Sequence, residues 1–242
     1  MTFNRLLICL ILLTGCCREA LAQDVVVSGR VELLDPGGKV WKGGLANTAV
    51  WLVPVGVSPG PIPEGSPRPA PRLVQKNKSF VPRVALLRAG TAVEFPNHDP
   101  FFHNVFSLFD GKRFDLGLYE AGGTRFVRFD KAGVSFIFCN IHPEMSAVVI
   151  AVATPYYELT DAAGNVAIRD VPPGRYLLHI WNERSVPGAN DAATKEVTIQ
   201  QGSASLGVMR LPISVAPEAP HKNKYGRDYD PSAPANPVYE QP

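Results

Sequence analysis

The chain has 242 residues, among them 23 prolines, 21 glycines and only 4 cysteines, and a formal net charge of +2. At 45% apolar residues it can build hydrophobic cores, so it is not disordered as a whole. The near-neutral charge argues against a general nucleic-acid binder, and four cysteines are too few for a disulfide-dense scaffold.

Residues 1–22 read as an address. Arg5 supplies a positive start, Leu6 to Leu13 are uninterrupted apolar residues, and Ala20-Leu21-Ala22 offers a small-x-small cleavage site. That is the pattern of a secretory signal peptide. A competing reading lies inside it. Leu13-Thr14-Gly15-Cys16 resembles a bacterial lipobox, which would leave Cys16 as a lipid anchor. Either way the expected location is the periplasm, free or lipid-anchored. Later segments hold no run of 18 apolar residues, so no transmembrane segment is expected. Cleavage after Ala22 would remove Cys9, Cys16 and Cys17 and leave Cys139 as the single thiol.

Residues 23–54 contain two candidate strands, Val25 to Leu34 and Thr48 to Val53. Residues 55–71 are proline-rich and read as a linker. Further candidate strands are Pro82 to Arg88, Thr91 to Phe95, Thr124 to Phe129, Gly133 to Cys139, Ser146 to Ala153 and Arg175 to Trp181. All are short, rich in Val, Ile, Phe and Tyr, and bounded by Gly, Pro, Asp or Asn. No long window carries a helical apolar period. The expected class is all-β, as two small sandwiches. Residues 214–242, rich in proline and carrying His221, Lys222, Lys224 and Arg227, read as a disordered tail.

One region concentrates unusual residues. It runs from Phe95-Pro96-Asn97-His98-Asp99 through His103-Asn104-Val105-Phe106 to Cys139-Asn140-Ile141-His142-Pro143-Glu144-Met145. Cys139, His142 and Met145 stand at three-residue steps after an apolar strand. A thiolate, an imidazole and a weak thioether suit copper. A second imidazole is needed, and His103 is the leading donor, with His98 as the alternative. The expected metal set is therefore His103, Cys139 and His142, with Met145 as a long axial ligand. Zinc is the competing metal, since two His and a Cys also bind it.

These residues resemble the cupredoxins, or blue copper proteins. His-Asn-Val followed by Cys-x-x-His-x-x-Met is their ligand pattern, and the short loop with Pro143 after His142 is most similar to the amicyanin type. The wider context, with Phe114-Asp115-Leu116-Gly117, resembles plastocyanin-like proteins labelled methylamine utilisation proteins. The resemblance spans about residues 72–153. It implies a Greek-key sandwich holding one mononuclear type 1 copper used for electron transfer. It also implies that the Asn104 backbone N–H points at the Cys139 sulfur while Asn104 ties the ligand loops together. Ile141, Pro143, Phe101 and Phe102 would then form an apolar rim around His142.

Residues 154–213 carry a second resemblance. Asp161-Ala162-Ala163-Gly164 followed by Pro172-Pro173-Gly174-Arg175-Tyr176 resembles the later half of a carboxypeptidase-regulatory-like, or transthyretin-like, sandwich. Its earlier half would be residues 23–54, making the copper unit an insertion. The rival is that 23–54 pair with the copper unit instead. His179 is expected on a face of this sandwich.

The leading functional expectation is a periplasmic single-electron carrier, not itself an enzyme. Its partner would be a redox protein such as a cytochrome or dehydrogenase. A copper-delivery module and a non-redox envelope-binding protein are the alternatives. Five histidines with no His-x-His pair argue against a multicopper oxidase, and one thiol in the ligand loop argues against a dinuclear copper centre.

Overall fold

The structure is a computed structural model that describes residues 25–56, 70–108, 111–202, 204–216 and 221–229. The expected signal peptide, the Cys16 anchor and most of the proline-rich linker lie outside the described residues. Among these residues no helix is long and apolar enough to cross a membrane.

The fold is all-β. In chain order the strands are β1 (Val25–Leu34), β2 (Ala49–Pro54), β3 (Val74–Gln75), β4 (Phe80–Val81), β5 (Val84–Arg88), β6 (Thr91–Pro96), β7 (His103–Ser107) and β8 (Phe114–Tyr119). They continue with β9 (Thr124–Phe129), β10 (Gly133–Phe138), β11 (Ser146–Val152), β12 (Tyr157–Leu159), β13 (Asn165–Val171), β14 (Gly174–Trp181), β15 (Lys195–Ile199) and β16 (Ala204–Pro212). One short helical turn, Ala189–Ala192, sits between β14 and β15.

Strands β3 to β11 make one sandwich. One sheet has the order β5-β11-β10-β7-β8, and the pairs β6-β9 and β3-β4 lie opposite it. Neighbours in sequence cross between these sheets, as β5 to β6, β8 to β9 and β9 to β10, which is the Greek-key habit. Between the sheets, Phe95, Phe129, Val105, Tyr119, Ile137 and Met145 are fully or almost fully buried.

The other sandwich joins distant parts of the chain. β1 pairs antiparallel with β13 and parallel with β16. β2 pairs with β12 and β14, and β14 with β15. The alternation of β1 explains its place. Val25, Val27, Val31 and Leu33 point inward, while Val26, Ser28 and Arg30 point out. The Asp161–Gly164 turn expected from sequence is present. Asp161 accepts from the backbone N–H groups of Ala163 and Asn165, and Gly164 adopts φ +82°. A Cβ at Gly164 would run into the Val31 carbonyl oxygen, so glycine is required there.

The two sandwiches meet through a third apolar cluster. Val84, Val148, Ile150 and Val152 from the outer face of β5 and β11 pack against Ala49 and Trp181. Arg83 and Glu183 add an ion pair at 3.0 Å across this contact.

The expected disordered tail does not hold for residues 221–229. They lie against the ends of β7 and β10, held by ring packing on Phe106 and Phe138 and by hydrogen bonds to Cys139 and Asn140. The remaining tail residues 217–220 and 230–242 lie outside the described residues.

Candidate metal centre

Strand alternation delivers the thiol. In β10, Ser135 and Ile137 face the core, and Cys139 continues that parity one residue beyond the strand. In β7, His103 and Val105 face the same interior. Cys139 then starts a tight return. Its N–H donates to the Met145 carbonyl at 3.2 Å, and the Met145 N–H donates to the His142 carbonyl at 3.1 Å. The return brings His142 back over Cys139.

Three donor atoms converge. The Nδ1 atoms of His103 and His142 are 3.1 Å apart, and the Cys139 Sγ lies 3.7 and 3.5 Å from them. Metal bonds of about 2.0–2.1 Å to nitrogen and 2.3 Å to sulfur at tetrahedral to trigonal angles require edges of roughly 3.3–3.8 Å. The triangle is within a few tenths of an ångström of that, with its N–N edge slightly short. The cluster is therefore compatible with a copper site. Met145 is fully buried in the same core cluster as Cys139.

The tautomer of His103 follows from its surroundings. Its Nε2 lies 2.8 Å from the Asp99 carboxylate, and both side chains are buried. A carboxylate can only accept, so Nε2 carries the hydrogen and Nδ1 presents its lone pair to the centre. Burial works to raise the Asp99 pKa. The backbone N–H of Lys78, the bond to His103 and the N–H of Asn77 outweigh it and hold the carboxyl below its ordinary range. The loop itself is pinned by Asn97, whose amide donates to the Phe101 carbonyl at 2.8 Å and the Glu120 carbonyl at 3.1 Å.

The electrostatics favour neutral imidazoles. Burial, then the neighbouring His103, pushes His142 down to about 4. Burial lowers His103 as well, against the pull of Asp99. Burial pushes the Cys139 thiol up, opposed by the backbone N–H groups of Asn104, Ile141 and His142. Those three N–H groups favour a thiolate once a cation balances it.

His98, the alternative ligand, is exposed and stands apart from the cluster, its backbone N–H bonded to Gln75. His179 stacks on Trp51 in the other sandwich, 5.1 Å between ring centres. Phe101 packs against both imidazoles of the cluster, with ring centres 5.2 Å from His103 and 5.6 Å from His142. Phe102, Ile141 and Pro143 are half-buried nearby in sequence. The Asn104 backbone N–H bonds the Cys139 sulfur, as expected, and its side chain donates to Asp115 at 2.7 Å. Sequence reasoning also gave no role to Asp99. Its position four residues before His103 was the available signal.

No protein-family model matches the chain. No curated protein matches it. Among solved structures it is similar to a purple cupredoxin from Nitrosopumilus maritimus, at 21% identity and TM-score 0.31, covering 34% of this chain and 99% of that one. It is similar to amicyanin from Paracoccus versutus, at 21% identity and TM-score 0.32, covering 42% of this chain and 91% of that one. A copper-containing nitrite reductase from Thermus scotoductus matches at 26% identity and TM-score 0.34, over 41% of this chain and 28% of the enzyme.

Proposed function

We propose that this chain is a single-electron carrier with one mononuclear copper, which His103, Cys139 and His142 would hold with Met145 as a further donor. The observation that carries the reading is the triangle of two imidazole Nδ1 atoms and one thiol sulfur, with the His103 tautomer set by a buried carboxylate. Bound copper would supply a one-electron Cu(I)/Cu(II) couple.

The chain's own residues supply the rest. Asp99 keeps His103 oriented and its Nδ1 free of a proton. The N–H groups around Cys139 stabilise negative charge on sulfur in a dry interior, where they count for more than in water. The buried ligand pair Cys139 and His103 resists rearrangement, which keeps the site similar in both oxidation states. That burial also favours retention over delivery of the metal. Half-buried His142, beside Phe101, gives an electron a short way in and out. The reading is of a carrier in the periplasm, serving a redox-protein partner, and not of an enzyme. The second sandwich, packed on the outer face of β5 and β11, acts as a mount.

The test is direct. Cu(II) added to metal-free protein should give an intense visible thiolate-to-copper band and a narrow copper hyperfine EPR pattern. Both should disappear in Cys139→Ser. A colourless complex in the unmodified chain would overturn the assignment, and tight colourless binding of Zn(II) alone would favour the competing metal.

A further inference from the structure

We propose that residues 221–229 form a strap that fixes the Cys139 segment against the His103 segment, with Lys224 as the positioning residue. The spectroscopic consequence rests on the copper reading above. The mechanical one does not.

The argument begins with strand parity. With Cys139 and His103 facing inward, their neighbours Phe138, Asn104 and Phe106 face outward. The second sandwich covers the β5 and β11 half of that outer face. On β10 it meets Phe136, whose ring centre lies 6.5 Å from Trp181. Beyond that point the strap takes over. The His221 ring stacks on Phe138 at 4.3 Å and 25°, and meets Phe106 edge-on at 6.3 Å. Tyr229 packs edge-on against His221 at 5.3 Å.

Polar bonds then grip the ligand loop. The Tyr229 hydroxyl donates to the Cys139 carbonyl at 2.9 Å, and the Lys224 N–H donates to the Asn140 side-chain oxygen at 2.9 Å. Residues 138, 139 and 140 are thus each held by the strap. The grip extends to the other ligand. The Lys224 ammonium donates to one oxygen of Asp115 at 2.8 Å, and the other oxygen accepts from Asn104 at 2.7 Å. A continuous path therefore runs Asn104–Asp115–Lys224–Asn140. It joins the residue after one ligand to the residue after another. This matters because the pairing of β7 with β10 is at Phe106 and Phe138, one step short of the thiol. The strap supplies the bridge at the ligand level.

The role differs from simple cover. Lys224 contributes a main-chain donor to the Cys139 loop and a side-chain donor to strand β8, so it sets the distance between them. Asp115 is held below the ordinary carboxylate range despite burial, chiefly by Lys224 and Asn104, so the ion pair persists at neutral pH.

Two readouts test this in the full chain, in a chain ending at Pro220, and in Lys224→Met, Lys224→Arg and Tyr229→Phe. The first is the rate of iodoacetamide alkylation at Cys139 in metal-free protein, followed by peptide mass spectrometry. The chain ending at Pro220 should react about ten-fold faster than the full chain, Lys224→Met and Tyr229→Phe a few-fold faster, and Lys224→Arg at close to the original rate. The second is the Cu(II) spectrum, where Lys224→Met should alter the intensity ratio of the thiolate-to-copper bands and Lys224→Arg should restore it. Should the shortened chain fail to fold by near-ultraviolet circular dichroism, the point variants carry the test. Equal alkylation rates in folded variants would overturn the strap. Faster alkylation with an unchanged spectrum would overturn the positioning role. A full chain that stays colourless with copper overturns the copper reading and leaves alkylation to decide the strap.

Discussion

In the sandwich that joins β1 and β2 to β12 through β16, the interior is Val27, Val31, Leu52, Ile168, Leu178 and Leu211, with Tyr176 as its large aromatic. In the sandwich of β3 to β11, Gln75, Asn97, Asp99, His103 and Ser135 are buried alongside Phe95, Val105 and Ile137. The first interior gains stability chiefly from apolar burial, with Thr48, Thr160 and Asn182 hydrogen-bonded to one another at its edge. The second gives interior positions to polar groups that must each find a partner. The more polar sandwich is also braced from outside, by Trp181 of its neighbour and by residues 221–229.

Cys139→Ser should break the comparison most sharply. The copper spectrum should be lost completely, while the thermal midpoint of the metal-free protein changes little, because serine nearly preserves the shape. Visible absorption and a melting curve check both halves. Leu178→Ala should do the reverse. It should cost about 2–5 kcal/mol of stability by opening a cavity in the other sandwich, read from urea unfolding, with the copper spectrum of the folded fraction unchanged. A spectrum that shifts with Leu178→Ala would show the sandwiches to be one energetic unit.

Asp99→Asn should sharpen the picture. The amide cannot satisfy Nε2–H of His103 and the N–H groups of Asn77 and Lys78 together, so copper affinity should fall about 10–100-fold by competition titration. A pH effect should follow from His142, whose pKa in the fold is about 4 against an ordinary 6.5. The unfolded chain takes up a proton there at a pH where the fold does not. The metal-free protein should therefore keep this contribution above about pH 6.5 and lose it as pH falls toward about 4. His103 is lowered too and acts in the same direction. Urea midpoints across that window should slope less in His142→Gln. The smallest effect is expected at the seam. Glu183→Gln weakens a partly exposed ion pair with Arg83 and should cost about 0–1 kcal/mol, measured as a slight drop in Tm.

The cluster of His103, Cys139 and His142 was legible because its chemistry is written in residue type and order. Thiol, imidazole and thioether follow an apolar strand at steps that one tight turn can fold back on itself. The strands were legible where alternation is clean, as in β1 and β10. β16 was not. Gly207, at φ +67°, breaks its alternation, so Leu206 and then Met209 and Leu211 turn toward the interior on opposite parities. Asp99 was hidden because a carboxylate among Asn97 and His98 looks like any polar loop. Residues 221–229 were hidden for a deeper reason. A short run of Lys, Asn, Tyr and Gly has the composition of a solvated end, and nothing local encodes the surface it meets.

The parallel pairing of β1 with β16 has a consequence for assembly. Val31 lies beside Met209, so the first described strand cannot complete its sheet until residue 209 has been made. At about 5–20 residues per second, synthesis of the intervening stretch takes roughly 10–35 seconds. The sandwich of β3 to β11 has all its strands within residues 74–152 and can close during that interval. Order of birth and order of completion are thus inverted. The part made first is finished last, around a sandwich already in place.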